Sequence, residues 1–586
     1  MDERYGPRLD RKLEAEVPIK VAISKLHFSD GDSVDIPENG VTVIVGPNNS
    51  GKSFSLRNIS TAASGTIDHY GEIGPVVTGV EVNKESEHPA DIIKWLEVSG
   101  WKSVQIPGQQ EAVYGVTDHG SNGMTKSAIM GEWRRGGALG GLARFLLKHE
   151  GTENRLSLIS SEQMFDPLRS APSGPVQLIA FDSKYLQRVS ALTLRAFGEQ
   201  VCINTFVPTL ELRLGKVDPY LVDGQVPYHI HEQYASLPTV REQGDGIRSF
   251  VGLLLHAVIR PYPITLIDEP EAFLHPSQAR RLGRILVDET PGDSQLIVAT
   301  HSQNILQGVL ESTSREVSII RLSRGPQKEF RHNVLTPERI SRVWKNPLLK
   351  YSNILDGLFH QGVVIAEGDS DCRFYTAVLD VMEQVDRDLD LLFTHVGGKG
   401  RIYKAIAELG ALTVKAAAII DLDLLNQRGL LRNTVLAAGG SWDAIADDYD
   451  VLQAAVQELN PEAPMLSEVK RAVASVEANM GGEAVLASTE IERIKKSLKG
   501  KTAWGIVKSG GLARLNDSGY SAGVRITQQL AHLGIFLVPG GELESWIPLD
   551  ASKELWLSEV FENELHLTPS SELRNFLLQL VKYFDA

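Results

Sequence analysis

The chain has 586 residues, 42% hydrophobic and 23% charged, the composition of an ordinary globular protein with material for about two to four domains. Its 59 Lys and Arg stand against 74 Asp and Glu, a formal charge of −15 that argues against non-specific coating of nucleic acid, while allowing a local basic groove or acids gathered around divalent cations. No run reaches the roughly 18 apolar residues of a membrane span, the N-terminal stretch interleaves acids and bases without an apolar signal core, and Cys202 and Cys372 are too few for a disulfide framework, so a cytoplasmic protein without a membrane partner is expected.

Taken in chain order, Lys20 to Leu26 and Val41 to Val45 are β-branched apolar runs separated by turn residues and read as strands. The second runs into a glycine, and from Gly51 through Ile59 the pattern is helical. Residues from about 85 to 235 are irregular and read as an insertion with helical fragments such as Gly141 to His149. Regular signals return with an apolar helix at Gly246 to Ile259, a strand at Ile264 to Ile267, a helix from Pro276 to Val287, and strands at Gln295 to Ala299 and Val317 to Leu322. A segment marked by Pro326, Pro337 and Pro347 suggests a domain boundary near 345 to 360. A second α/β unit follows, with strands at Val363 to Ala366, Leu391 to His395, Ala416 to Ile420 and Gly534 to Val538 and a helical insertion from about 425 to 500.

Gly46-Pro47-Asn48-Asn49-Ser50-Gly51-Lys52-Ser53 matches the phosphate-cradling pattern G-x-x-x-x-G-K-[ST] in full. Glycines let successive backbone N–H groups turn inward around phosphates, and the following helix presents its positive end to them. Lys52 would reach the β- and γ-phosphates of ATP, and the Ser53 hydroxyl would ligate Mg²⁺. About 215 residues on, Ile264 to Ile267 ends in Asp268-Glu269, placed for Asp268 to contact that ion and Glu269 to polarise the attacking water. Glu271 and His275 come next, and His301, just after a strand, stands where a γ-phosphate sensor is expected. The turn Gln243-Gly244-Asp245-Gly246 opens an apolar helix and could hold a second phosphate.

This order of elements over roughly residues 18 to 325 resembles the ATP-binding-cassette (ABC) ATPases of chromosome-maintenance and DNA-repair proteins. The resemblance implies a dimer in which Gly244 and Gly246 of one subunit complete the nucleotide site of the other. Gln-Gly-Asp-Gly departs from the transporter signature Ser-Gly-Gly-Gln, which argues against membrane transport.

In the second unit, Val363 to Ala366 ends in Glu367, with Asp369 and Asp371 following, and Ala416 to Ile420 ends in Asp421-Leu422-Asp423. The i and i+2 carboxylates share a side of an extended chain, and parallel strands ending together would bring Glu367 to them. Acids so grouped without Arg or Lys partners need hard cations, Mg²⁺ or Mn²⁺. Two such ions about 4 Å apart can hydrolyse a phosphodiester. Asp369 reads better as a helix-start residue.

E-G-x-x-D followed 54 residues after its Glu by D-x-D resembles the topoisomerase-primase (Toprim) domain. An ABC-type head joined to a C-terminal Toprim domain resembles the overcoming-lysogenization-defect (OLD) nucleases, a family that includes the nuclease subunit of the Gabija anti-phage system. The resemblance implies an α/β chain divided at about 345, ATPase and DNA endonuclease activities, anti-phage defence, a homodimer or higher homo-oligomer, and a helicase or reverse-transcriptase partner encoded nearby. It also implies that the turn His395 to Gly400 approaches metal or phosphate, that Glu544, or alternatively Glu542, joins the metal site, and that Lys508 stabilises phosphate charge. Arg493, Lys495, Lys496, Lys499, Lys501, Lys508 and Arg514 form a local basic stretch that suits a DNA backbone or a solvated helix face. A structural DNA-tethering ATPase with a non-cleaving Toprim-like domain is the alternative expectation.

Overall fold

The computed structural model describes residues 19–65, 74–99, 101, 103–105, 110–115, 123–153, 155–165, 174–259, 262–325, 327, 329–335, 353–382, 390–460, 466–480, 491, 494–495, 498, 502–549 and 551–585. Pro326, Pro337, Trp344 and Pro347 of the boundary segment, and Arg493, Lys496, Lys499 and Lys501 of the basic stretch, lie outside them. The chain divides into two compact units, Met1–Lys345 and Asn346–Ala586.

The first unit is built on a six-stranded sheet in the order Phe330–Leu335, Val317–Arg324, Val41–Val45, Gln295–Ala299, Ile264–Asp268, Leu147–Glu150. All neighbours are parallel except the pair formed by Val317–Arg324 and Phe330–Leu335. The three central strands are buried at every position, which is why they read as unbroken apolar runs. An antiparallel ribbon of Ser33–Asp35, Lys20–Phe28 and Val77–Glu85 packs its apolar face into the same core. Gln295, fully buried, joins the two sheets: its side chain accepts from the Ile23 N–H at 2.9 Å and donates to the Ile23 carbonyl at 2.7 Å.

Three sequence expectations are corrected here. Gly141 to His149 is not one helical fragment: helical turns at Gly140–Leu142 and Ala143–Leu146 give way to the strand Leu147–Glu150, which pairs in parallel with Ile264–Asp268. The stretch from 85 to 235 is therefore no single insertion, since the chain returns to the main sheet within it. The expected helix Gly246 to Ile259 is α-helical over Asp245–Leu253 and π-helical over Leu254–Ile259.

The second unit carries four parallel strands in the order Leu391–His395, Gly362–Ala366, Ala416–Ile420, Ile535–Leu537. In chain order this is 2-1-3-4, so the crossovers part between Gly362–Ala366 and Ala416–Ile420. Open parallel sheets offer a ligand crevice at such a switch point, beyond the carboxyl ends of the strands. Aromatic packing closes the sheet's other side: half-buried Trp546 packs against that core and donates to the hydroxyl of buried Tyr375 at 3.0 Å. The stretch beyond 425 is helical at Arg428–Ala437, Ala446–Gln457 and Leu466–Met480, as expected.

Candidate functional sites

The register of the first sheet sets its site. Ile44 stands opposite Ala299, and Ala299 opposite Asp268, so the cradle, the acidic pair and His301 all leave the sheet at one edge. Gly51 starts the helix Lys52–Ser64 at φ +97°, where a side chain would be strained, and a Cβ there would lie 2.7 Å from the Phe330 ring. Lys52, buried, donates to the carbonyls of Gly46 and Pro47 at 2.9 Å each, and the Ser53 hydroxyl donates to an Asp268 carboxylate oxygen at 3.1 Å. A hydroxyl and a carboxylate held together beside a phosphate loop form a donor set that fits Mg²⁺.

Glu269 follows at φ +46°, its N–H fixed to the Ala299 carbonyl at 2.8 Å. His301 Nδ1 lies 3.2 Å from both Glu269 and Glu271. The hydrogen bond from His301 holds the Glu269 carboxyl below its ordinary range, and Glu269 in turn raises the imidazole. Burial raises Asp268 and Glu271. Glu271 accepts from the Thr300 hydroxyl at 2.8 Å and the His301 N–H at 2.9 Å, and so positions the histidine.

Arg155 went unread in the sequence. Fully buried, it donates to the carbonyl oxygens of both Asp268 and Glu269 from beneath the strand end, and burial lowers its own pKa. No motif announces it, because its partners lie more than a hundred residues away. Gly246, expected to face a partner's phosphate, has a role within its own unit: a Cβ would stand 2.8 Å from the Phe273 carbonyl oxygen, in the loop after the acidic strand. Gly244 precedes the helix Asp245–Leu253 and has open space around it.

In the second unit Glu367, Asp421 and Asp423 each offer an oxygen, and these oxygens lie within 4.8 Å of one another. Glu367 accepts from the Asp421 N–H at 3.1 Å. Asp371, in the first turn of Asp369–Asp380, accepts from the Gly368 N–H at 3.0 Å. Asp369 instead pairs with Arg373 at 2.8 Å, in line with its reading as a helix-start residue. Burial, reinforced by the Asp421 charge, pushes Glu367 up to about 7 and Asp371 up to about 6. Burial also raises Asp421. Carboxyls that resist ionisation together at a sheet edge are a donor set of hard oxygens suited to Mg²⁺ or Mn²⁺.

The expectation of acids without basic partners is corrected. Lys508 Nζ is 3.2 Å from both Asp421 and Asp423 and 3.6 Å from Glu542, Lys399 is 2.7 Å from Asp423, and Lys553 is 2.7 Å from Glu542 and 3.3 Å from Glu544. Burial works to raise Asp423, but Lys399 and Lys508 outweigh it and hold that carboxyl low. The site is lopsided: Asp423, Glu542 and Glu544 face three ammonium groups, whereas Glu367 and Asp371 have no ion pair of their own among the described residues. The glycine turn after Leu391–His395 serves to deliver Lys399, and Gly398 donates its N–H to the Glu367 carbonyl at 2.9 Å. Glu542 and Glu544 both reach the rim, Glu542 beside Lys508 and Glu544 close enough for its charge to act on Asp371.

Comparison with known proteins adds to this geometry. Residues 180–307 match a family model described as an AAA domain, putative AbiEii toxin, Type IV TA system. Old nuclease of Escherichia phage P2 is 24% identical over 170 residues, covering 28% of this chain and 28% of that protein. The chain is similar to the OLD nucleases. It matches little more than a quarter of the length of that curated relative. Among solved structures, an Smc head bound to the C-winged helix domain of ScpA matches 54% of this chain and 99% of its own at 16% identity with a TM-score of 0.33. The SMC head domain from Thermotoga maritima matches 54% and 98% at 13% identity with a TM-score of 0.26.

Proposed function

We propose that the chain is an ATP-binding, nucleotide-regulated, metal-dependent DNA endonuclease, acting in the cytoplasm as a homo-oligomer, with Met1–Lys345 as an ABC-type ATPase domain and Asn346–Ala586 as a Toprim nuclease domain. The observation that carries this reading is the convergence of Glu367, Asp421 and Asp423 oxygens within 4.8 Å at the switch point of a parallel sheet. Anti-phage defence follows from the OLD resemblance.

In the first domain Asn48, Asn49, Ser50 and Gly51 would offer backbone N–H groups to the phosphates, Lys52 would meet their charge, and Ser53 with Asp268 would hold Mg²⁺. Glu269, kept ionised by His301, suits acceptance of a proton from the attacking water. In the second domain Glu367, Asp371, Asp421 and Asp423, with Glu544 at the rim, would hold Mg²⁺ or Mn²⁺. Bound divalent ions supply there an activated water and charge stabilisation of the leaving oxygen. Lys508, already oriented by two carboxylates, would turn to a phosphate oxygen of the DNA backbone.

Purified protein incubated with supercoiled plasmid and Mn²⁺ or Mg²⁺ tests the reading. The wild type cuts and Asp421→Ala does not; equal cutting by both refutes it. The lysines on Asp423 and Glu542 favour a second reading, a DNA-tethering ATPase whose acidic domain binds without cleaving. ATPase activity with no metal-dependent strand scission in the wild type would select that one.

A further inference from the structure

The cations of the second unit are not spread evenly along the sequence. From Leu391 to Ala407 the chain carries Lys399, Arg401 and Lys404 and no acid, and from Leu424 to Trp442 it carries Arg428 and Arg432 and no acid, although its overall charge is −15. Topology brings these two stretches to one edge. Leu391–His395 and Ala416–Ile420 both run parallel to Gly362–Ala366, so the chain leaves all three strands on the side where Glu367, Asp421 and Asp423 converge. The ion pair of Lys399 with Asp423 at 2.7 Å ties the first loop to the second, and the helices that follow, Ile402–Ala411 and Arg428–Ala437, pack against each other.

Arg401, Lys404, Arg428 and Arg432 are exposed. Arg428 and Arg432, four residues apart, share a helix face. Arg428 is held by Asp450 at 3.2 Å and lies over the rings of Trp442 and Tyr449. Arg401, Lys404 and Arg432 have no ion pair among the described residues, unlike Lys399, Lys508 and Lys553, which the acids of the site hold. Neither helix has an acid in its first turn or a side-chain cap, and cations at the positive end of a helix are unfavourable until an anion joins them. A run of phosphates fits such a ridge, since backbone contacts need charge and no sequence code. We propose that Arg401, Lys404, Arg428 and Arg432 form the surface on which the DNA backbone flanking the cut phosphate is laid. The inference rests on the nuclease reading of the adjacent acids and adds the side on which the duplex lies.

Fluorescence anisotropy of a labelled duplex of about 30 base pairs, titrated with the full chain in Ca²⁺ at several salt concentrations, tests this. The triple variant Arg401→Gln, Lys404→Gln, Arg432→Gln should bind at least roughly tenfold more weakly, and the slope of log affinity against log salt should become shallower by about 2 to 3. Its plasmid cutting should drop at moderate salt and recover at low salt, while its melting temperature and its ATP hydrolysis without DNA stay at wild-type values. Removing the same charge from exposed positions of the first unit, by Lys94→Gln, Lys126→Gln and Arg134→Gln, should leave the slope unchanged. Unaltered binding by the ridge variant, or an equal loss in the control, overturns the proposal. So does a change in sedimentation of the ridge variant with DNA binding intact, which would make this face a contact between copies. Tighter binding of the matching RNA duplex overturns the DNA assignment. No cutting by the wild type in Mg²⁺ or Mn²⁺ removes the nuclease reading instead, and the salt dependence of binding then judges the ridge by itself.

Discussion

Gly541 packs its α-carbon against the backbone of Lys508 so closely that a Cβ would stand 1.6 Å from the Lys508 carbonyl oxygen, and at φ +107° a side chain would be strained in any case. The Gly541 carbonyl meanwhile accepts from the N–H of Leu422, between Asp421 and Asp423. One glycine thus fixes the lysine and the acidic pair against each other. Gly541→Ala should cost about 1 to 3 kcal/mol of stability, measured by denaturant melts, and reduce plasmid cutting at least tenfold. ATP hydrolysis measured on the same preparation should persist.

Metal binding by the second unit should be linked to proton release. Glu367 is raised to about 7 and Asp371 to about 6, both above their ordinary carboxyl values, so the folded chain holds more protons than the unfolded chain across the interval between. Stability of the metal-free protein from this pair is then greatest on the acid side and falls as pH rises toward 7. Thermal melts at about pH 5 and about pH 7.5 should show the fall, Mn²⁺ should reverse it at the higher pH, and Glu367→Gln should flatten it.

Arg155 anchors the carbonyls of Asp268 and Glu269 from a fully buried position. Arg155→Met leaves two carbonyls and neighbouring acids without their cation and should destabilise the first unit by about 3 kcal/mol or more. Arg155→Lys should recover part of the stability. Steady-state ATPase kinetics should show kcat falling more than KM rises, since the arginine touches the acidic strand end and not the phosphate loop.

Glu269→Gln should keep ATP binding, because Lys52, Ser53 and Asp268 are untouched, while hydrolysis falls about a hundredfold or more. Equilibrium binding of a fluorescent nucleotide alongside phosphate release separates the two effects. The same variant removes the charge that raises His301, so the imidazole should titrate lower by NMR.

The legible parts of this chain are those whose chemistry is contiguous. The cradle from Gly46 to Ser53, the Asp268-Glu269 strand end and the Asp421, Asp423 pair each carry their meaning within a few residues, and buried parallel strands show as unbroken apolar runs. What stayed hidden acts across distance. Arg155 and Lys553 belong to no motif, and Lys399 was visible only as part of a glycine turn, its pairing with Asp423 being set by how Leu391–His395 lies in the sheet. Leu147–Glu150 was missed because four residues at a sheet edge, two of them the half-buried Lys148 and His149, are too short and too polar to show a period.

The amide of Gln295 has a mechanical consequence. Holding both the N–H and the carbonyl of Ile23, it welds the outer ribbon to the strand Gln295–Ala299, whose far end delivers His301. The ribbon cannot tilt without levering that strand, so a push on the ribbon arrives as a displacement of the imidazole beside Glu269.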